Sequence, residues 1–159
     1  MKNKLKENYR VGIISDTHGL LREEVLNYLK TCDYIIHAGD IDTEDVLNEL
    51  KNIAPIYVVR GNNDKGEWAE KLPKELYFTI GNIRFYMVHN KKDISLNLKS
   101  IDVIVFGHSH KYFYEKIEEV LWLNPGSCGK RRFNFPINLA IMTIENNDCN
   151  IEKIDIRFN

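Results

Sequence analysis

Five short segments of this chain carry side chains able to hold a metal ion: Asp16-Thr17-His18, Gly39-Asp40, Gly61-Asn62-Asn63-Asp64, His89 and Gly107-His108-Ser109-His110. Asp16 and His18 offer an oxygen and a nitrogen donor that one turning loop can aim at one ion. Asp40 and Asn62 each follow a glycine, which lets the backbone turn sharply and leaves the polar side chain exposed. The Asn62 carbonyl is a neutral oxygen donor, useful where anionic ligands are already present. His108 and His110 flank a single residue; on extended backbone they share a side, and in a loop they splay toward two ions. Taken singly, each segment has a plainer reading. Asp16 could cap a following helix, the Gly-Asp and Gly-Asn pairs could be turns, and the paired histidines could be solvated.

The joint pattern outweighs those readings. The five histidines, His18, His37, His89, His108 and His110, all lie in or beside these segments, whereas chance placement would scatter some into helices or tails. Imidazole mixed with carboxylate suits Mn, Fe, Co, Ni or Zn rather than Ca. Asp16, His18, Asp40, Asn62, His89, His108 and His110 are too many for one ion of about four to six ligands. Two ions sharing a carboxylate fit the count, with Asp40 the natural bridge.

Each segment follows an apolar run. Val11 to Ile14 leads to Asp16 and His18, Ile35-Ile36 to Asp40, Val58-Val59 to Asn62 and Asp64, Tyr86 to Val88 to His89, and Val103 to Phe106 to His108 and His110. These runs read as strands, and ligands of α/β sheets gather beyond the carboxyl ends of strands. Leu21, Val25 and Leu29, and then Val46, Leu47 and Leu50, recur at helical spacing, with Asp42 the expected cap of the second helix. Strand–helix–strand order predicts parallel pairing in the first half. Gly81-Asn82 between Leu76–Ile80 and Ile83–Val88 signals a hairpin. Ile94 to Leu98 reads as a short helix. Beyond Tyr112 the chain reads as hairpins with turns near Glu118, Asn134 to Pro136 and Asn146 to Asp148. The expected class is α/β of mixed character: one mixed sheet or two packed sheets, with helices outside.

Residues 1–159 suggest one domain, long enough for a substantial core. A formal charge of −1 supplies no global field for nucleic acid or an anionic membrane. Met1 to Tyr9 is polar and lysine-rich, with no signal-peptide run, and nothing approaches the ~20 apolar residues of a membrane helix. Cys32, Cys128 and Cys149 form no disulfide framework and fit a reducing, cytoplasmic setting.

In order and type, the five segments resemble the motifs of the calcineurin-like metallophosphoesterases. The His37-Ala38-Gly39-Asp40 form and Asn124-Pro125-Gly126-Ser127 resemble its compact, YfcE-like phosphodiesterase branch. The resemblance implies a four-layer α-β-β-α sandwich of two mixed sheets. It implies that Asp16, His18 and His110 hold one ion, that Asn62, His89 and His108 hold a second, and that Asp40 bridges them. It implies hydrolysis by in-line attack of a metal-bridging hydroxide on phosphorus, with Asp40, Asn62 and His108 acting through the metals, Mn being the first expectation and Ni, Fe, Co or Zn the others. Two departures stand out. Asn63 occupies the place where many members carry a leaving-group histidine, and an amide cannot act as an acid; the compact branch commonly lacks that histidine. Asn90 follows His89 where the family usually has glycine.

His37 is expected to orient a ligand or to be a satisfied core histidine, and Asp64 to hold a neighbouring ligand by hydrogen bond or to make a turn. Lys130-Arg131-Arg132 reads as a solvated loop, and Trp68 and Trp122 as packing residues. The leading function is a phosphodiesterase acting on a small phosphoester substrate, with a homo-oligomer left open. The alternative is a non-catalytic interaction scaffold of the kind of the retromer subunit Vps29, which would be free to lose ligands. A duplex nuclease is disfavoured by the lack of a basic stripe.

Overall fold

The computed structural model describes residues 8–132 and 134–157, so most of the polar N-terminal stretch read above lies outside the described residues. The chain runs β1 (Asn8–Ile14), α1 (Glu23–Leu29), β2 (Tyr34–His37), α2 (Glu44–Lys51), β3 (Ile56–Val58), α3 (Glu67–Glu70), β4 (Glu75–Ile80) and β5 (Ile83–Val88). It continues through a 3-10 turn (Lys91–Asp93), β6 (Val103–Val105), β7 (Tyr112–Ile117), β8 (Val120–Pro125), β9 (Ile137–Glu145) and β10 (Asp148–Ile156).

These strands form two five-stranded mixed sheets, ordered β10-β9-β1-β2-β3 and β4-β5-β6-β8-β7. β1, β2 and β3 pair in parallel, as the strand–helix alternation predicts. The hairpin at Gly81-Asn82 sets Ile80 opposite Ile83. β9 returns antiparallel to β1 and carries β10 on its far edge.

Alternation along the strands sorts the apolar side chains into layers. Val11, Ile13 and Ile36 of the first sheet pack against Phe85, Met87 and Val105 of the second. The opposite face of the first sheet, with Ile14 and Ile35, packs under Val25 and Leu29 of α1 and Val46 and Leu50 of α2. Here α1 lies so close to β1 that a Cβ at Gly12 would stand 2.5 Å from Leu29 Cδ2. The fourth layer covers Tyr86, Val88, Ile104 and Phe106 with Ile94, Leu98 and Ile101, completing an α-β-β-α sandwich whose last layer is the segment that contains the 3-10 turn.

Two local expectations change. Ile94 to Leu98 is not a helix. The Ser95 N–H donates to the Tyr86 hydroxyl (3.3 Å) and Ser95 Oγ donates to Glu75 (2.7 Å), so the sheet claims backbone and side chain that a helix would need. The cap of α2 is Thr43, whose Oγ1 accepts from Val46 N at 3.3 Å, rather than Asp42. Among the described residues no helix is long and apolar enough to cross a membrane.

Candidate metal centre

β1, β2, β3, β5 and β6 deliver their following loops to one end of the sandwich, and backbone pairing continues beyond the strands. Asp16 N donates to Gly39 O (3.0 Å), His18 N to Asp40 O (3.0 Å), and Gly107 N to His89 O (2.8 Å). Asn124 Nδ2 donates to Gly107 O (3.1 Å) and Ser127 Oγ to Asp16 O (3.0 Å), so the Asn124–Ser127 loop buttresses two ligand loops. The approach is tight: a Cβ on Gly61 would lie 2.2 Å from Asp40 N. Gly39, at φ 103°, would press a Cβ to 2.8 Å from His89 Nδ1.

Six site residues are left-handed: Asp16 (φ 55°), His18 (47°), Asp40 (61°), Asp42 (74°), His108 (73°) and His110 (64°). Non-glycine residues visit this region sparingly, Asp and His more readily than most, and such strain gathers at functional sites. Its stay around Asp40 is Asp64. One Asp64 oxygen accepts from Asp40 N (3.0 Å) and Gly61 N (2.7 Å), the other from Ile41 N (2.9 Å) and Asp42 N (2.8 Å). A carboxylate saturated by four backbone donors is a clamp on the loop. This is why Asp64, though near Asp40 and Asp42, is not counted as a ligand.

The donors converge as two groups. Asp16 Oδ1 lies 3.6 Å from His18 Nε2 and 3.4 Å from His110 Nε2, and those two nitrogens are 3.3 Å apart. Asp40 Oδ2 lies 3.1 Å from His89 Nε2 and 3.7 Å from His18 Nε2, within reach of both groups. Asp40, His89 and His108 present donor atoms mutually close enough for one ion, and Asn62 Oδ1 stands 3.2 Å from His108 Nδ1. The first group is buried; Asn62 and His108 are exposed, so the second faces solvent.

The residues fit a cation. Asp16 Oδ1 and His89 Nε2 are buried with no hydrogen-bond partner in the protein, a costly state for polar atoms unless something else satisfies them. Tautomers agree. His89 Nδ1 donates to the Ala38 carbonyl (2.8 Å) and His18 Nδ1 pairs with Asp42 Oδ2 (3.1 Å), which turns both Nε2 lone pairs toward the shared space. Ser15 Oγ and His108 N occupy Asp16 Oδ2 (2.6 and 3.1 Å), and Asn63 N occupies Asp40 Oδ1 (2.9 Å), leaving the other carboxylate oxygen of each free to coordinate.

The charges respond to one another. Burial by itself would raise the Asp16 carboxyl, but His110, His18, His89 and Ser15 hold it far below the usual range. Burial also opposes Asp40, which His89 and the Asn63 N–H bring down. Asp16, followed by Asp42, raises His18; against burial, Asp40 and Asp16 raise His89. His37 is different. Complete burial pushes it down to about 3, and it is neutral. Its Nδ1 accepts from Gly39 N (3.0 Å) and its Nε2 donates to Thr17 Oγ1 (3.0 Å). Neither bond goes to a ligand side chain; His37 ties together the two loops that carry Asp16, His18 and Asp40.

All seven ligand candidates thus meet at one place, with His37 and Asp64 behind them. Asp42 and Ser15 carry no motif signal that would have marked their partnerships with His18 and Asp16.

Asp64→Asn replaces one acceptor by an amide that faces backbone donors. It is expected to cost about 2–3 kcal/mol in urea unfolding and to weaken Mn²⁺ binding; unchanged stability would contradict the clamp. Metal uptake must displace protons that the carboxylates help His18 and His89 to retain. Affinity for Mn²⁺ is therefore expected to rise with pH from about 6 to about 8, by roughly tenfold or more, with protons released in titration calorimetry. A pH-independent affinity would count against these histidines as ligands.

Comparison with known proteins agrees with the geometry. Residues 9–147 match the calcineurin-like phosphoesterase superfamily domain. A probable metallophosphoesterase of Methanothermobacter thermautotrophicus is 30% identical over 91% of each chain. A phosphodiesterase of Methanocaldococcus jannaschii is 30% identical over 75% of this chain and 84% of its own. In structure, Vacuolar Protein Sorting 29 of Cryptosporidium parvum superposes with TM-score 0.77 at 19% identity, over 96% of this chain and all of the other (100%), a likeness of fold alone. The metal-competent strand ends and the matched length together place this chain in the calcineurin-like phosphoesterase superfamily.

Proposed function

We propose that this chain is a phosphodiesterase that works with two divalent metal ions. The observation that carries the reading is the convergence of Asp16 Oδ1 and His89 Nε2, both buried and without an aligned hydrogen bond, on the space shared with Asp40. Asp16, His18 and His110 would hold one ion, Asn62, His89 and His108 the other, and Asp40 would serve both. When bound, such a pair supplies a nucleophile from water at neutral pH and positive charge opposite the phosphoryl oxygens. The carboxylate, amide and imidazole set suits Mn, with Ni, Fe, Co or Zn sharing its preferences.

The chain's own part is positioning. Asp64 and His37 hold the ligand loops in their left-handed turns, and the exposed Asn62 and His108 mark the side open to a small phosphoester. Asn63 stands beside them with its N–H committed to Asp40 and an amide side chain that cannot release a proton. The leaving oxygen must then take its proton from water, so turnover depends steeply on leaving-group acidity. The complete set of donors favours catalysis over a scaffold role like that of the Vps29 proteins. The free thiols of Cys32, Cys128 and Cys149 are in keeping with the reducing cytoplasm.

Purified protein with Mn²⁺ should hydrolyse bis(4-nitrophenyl) phosphate, and chelation should stop it. His108→Ala should lose about a hundredfold or more, since even the partners behind a ligand cost ~10–100-fold. Asn63→His should speed hydrolysis of alkyl diesters by about tenfold or more, part of the ~10²–10⁴ a positioned acid contributes, with a smaller gain on 4-nitrophenyl esters. No turnover with any of the five metals, and no difference between wild type and His108→Ala, would sink the proposal.

A further inference from the structure

A cleft of about 660 Å³ opens from the exposed side of the metal centre. It touches Asn62, His89 and His108 but not Asp16, His18 or His110, and it runs between the loop after β3 and the segment after β5. A phosphoester held at the centre therefore has room for an ester arm to extend along this cleft. The volume lies within the ~300–1,000 Å³ of small-molecule sites, enough for a substituent well beyond the reacting phosphate.

The lining indicates the chemistry of that arm. Arg60, Lys65 and Lys74 border the cleft, and among the described residues none has a carboxylate within ion-pair distance. Arg60 is steadied by its Nε, which donates to the Asp64 carbonyl at 3.0 Å. Three carboxylates also border the cleft, but two are already engaged. Asp64 is buried and saturated by four backbone donors. Glu75 Oε2 accepts from the Tyr86 and Ser95 hydroxyls. Hydrogen bonding leaves the charges of these carboxylates in place, so the formal charges of the lining balance; what sets the cleft apart is three cations that, among the described residues, have no carboxylate at ion-pair distance. No phenyl or indole ring lines the cleft, and Val88 is its one aliphatic side chain. It thus lacks the phenyl or indole platform on which bases stack, and it offers the donors that an anion takes.

We propose that this cleft binds a second phosphate of the substrate through Arg60, Lys65 and Lys74. The natural substrates are then phosphodiesters with a further phosphate monoester on one arm. The proposal rests on the phosphodiesterase reading and adds the substrate class to it.

Two chromogenic diesters that differ by one phosphate test this: ethyl 4-nitrophenyl phosphate and 2-phosphoethyl 4-nitrophenyl phosphate, followed by nitrophenolate release with Mn²⁺. Wild type should prefer the second by about tenfold or more in kcat/KM, chiefly through KM, and the preference should shrink as salt is raised. The Lys65→Ala/Lys74→Ala double variant should lose most of it, whereas removing two distant lysines (Lys116→Ala with Lys153→Ala) should leave it intact. Equal use of the two diesters by wild type, or a preference that survives the double variant, would overturn the proposal. If neither diester is hydrolysed, the phosphodiesterase reading fails. The cleft is then judged by calorimetric titration of propane-1,3-bisphosphonate into metal-free protein in EDTA. Binding that weakens about fivefold or more in the double variant supports the cleft, and absent or unchanged binding overturns it.

Discussion

Two buried carboxylates, Asp16 and Asp40, face one small space, and among the described residues the only cationic side chains within ion-pair distance of them are histidines. Removing a carboxylate from water costs several kcal/mol even after relaxation, so two in one place require compensating positive charge. Protonated imidazoles supply part of it, yet His89 Nε2 and Asp16 Oδ1 lack an aligned hydrogen bond. A bound metal ion would remove both difficulties: it would neutralise the carboxylates and take the imidazole lone pairs that Ala38 O and Asp42 orient toward the shared space.

That demand explains why the surrounding backbone is unusual. Six ligand-loop residues, after β1, β2 and β6, are left-handed, which helps bring side chains from five strand ends together within a few ångströms. The sandwich beneath makes the strain tolerable: two sheets and their helices fix the strand ends, and hydrogen bonds between the loops continue the pairing. Asp64 and His37 act at the next remove. Asp64 gathers the N–H groups of Gly61, Asp40, Ile41 and Asp42, and His37 joins Gly39 to Thr17. Neither needs to meet a metal for the proposed centre to depend on it.

Much of this could be read from the residues. The apolar runs mark β1, β2, β3, β5 and β6 because strands buried on both faces leave continuous hydrophobic stretches, and the placement of every histidine at their ends marks the centre. The resemblance supplied the pairing of ligands into two groups, which spacing alone leaves open. Roles set by three-dimensional proximity were hidden. Asp42 looks like a helix cap, but its left-handed turn hands that task to Thr43 and brings its carboxylate to His18. Ile94 to Leu98 has helical spacing, yet Tyr86 and Glu75, both on the sheet, capture Ser95. Lys130-Arg131-Arg132 is the conspicuous basic run of the sequence, whereas the cations bordering the cleft, Arg60, Lys65 and Lys74, are dispersed along the chain and reach one cleft only in the fold.

The proposed centre is binuclear and organised around Asp40. Elemental analysis of purified protein saturated with Mn²⁺ and then desalted, counted per chain for wild type and for Asp40→Asn, addresses it most directly. About two ions per wild-type chain, falling to about one or fewer in the variant, is the predicted result. A wild-type chain that retains no metal or only a single ion, or an Asp40→Asn chain that still holds two, would contradict it.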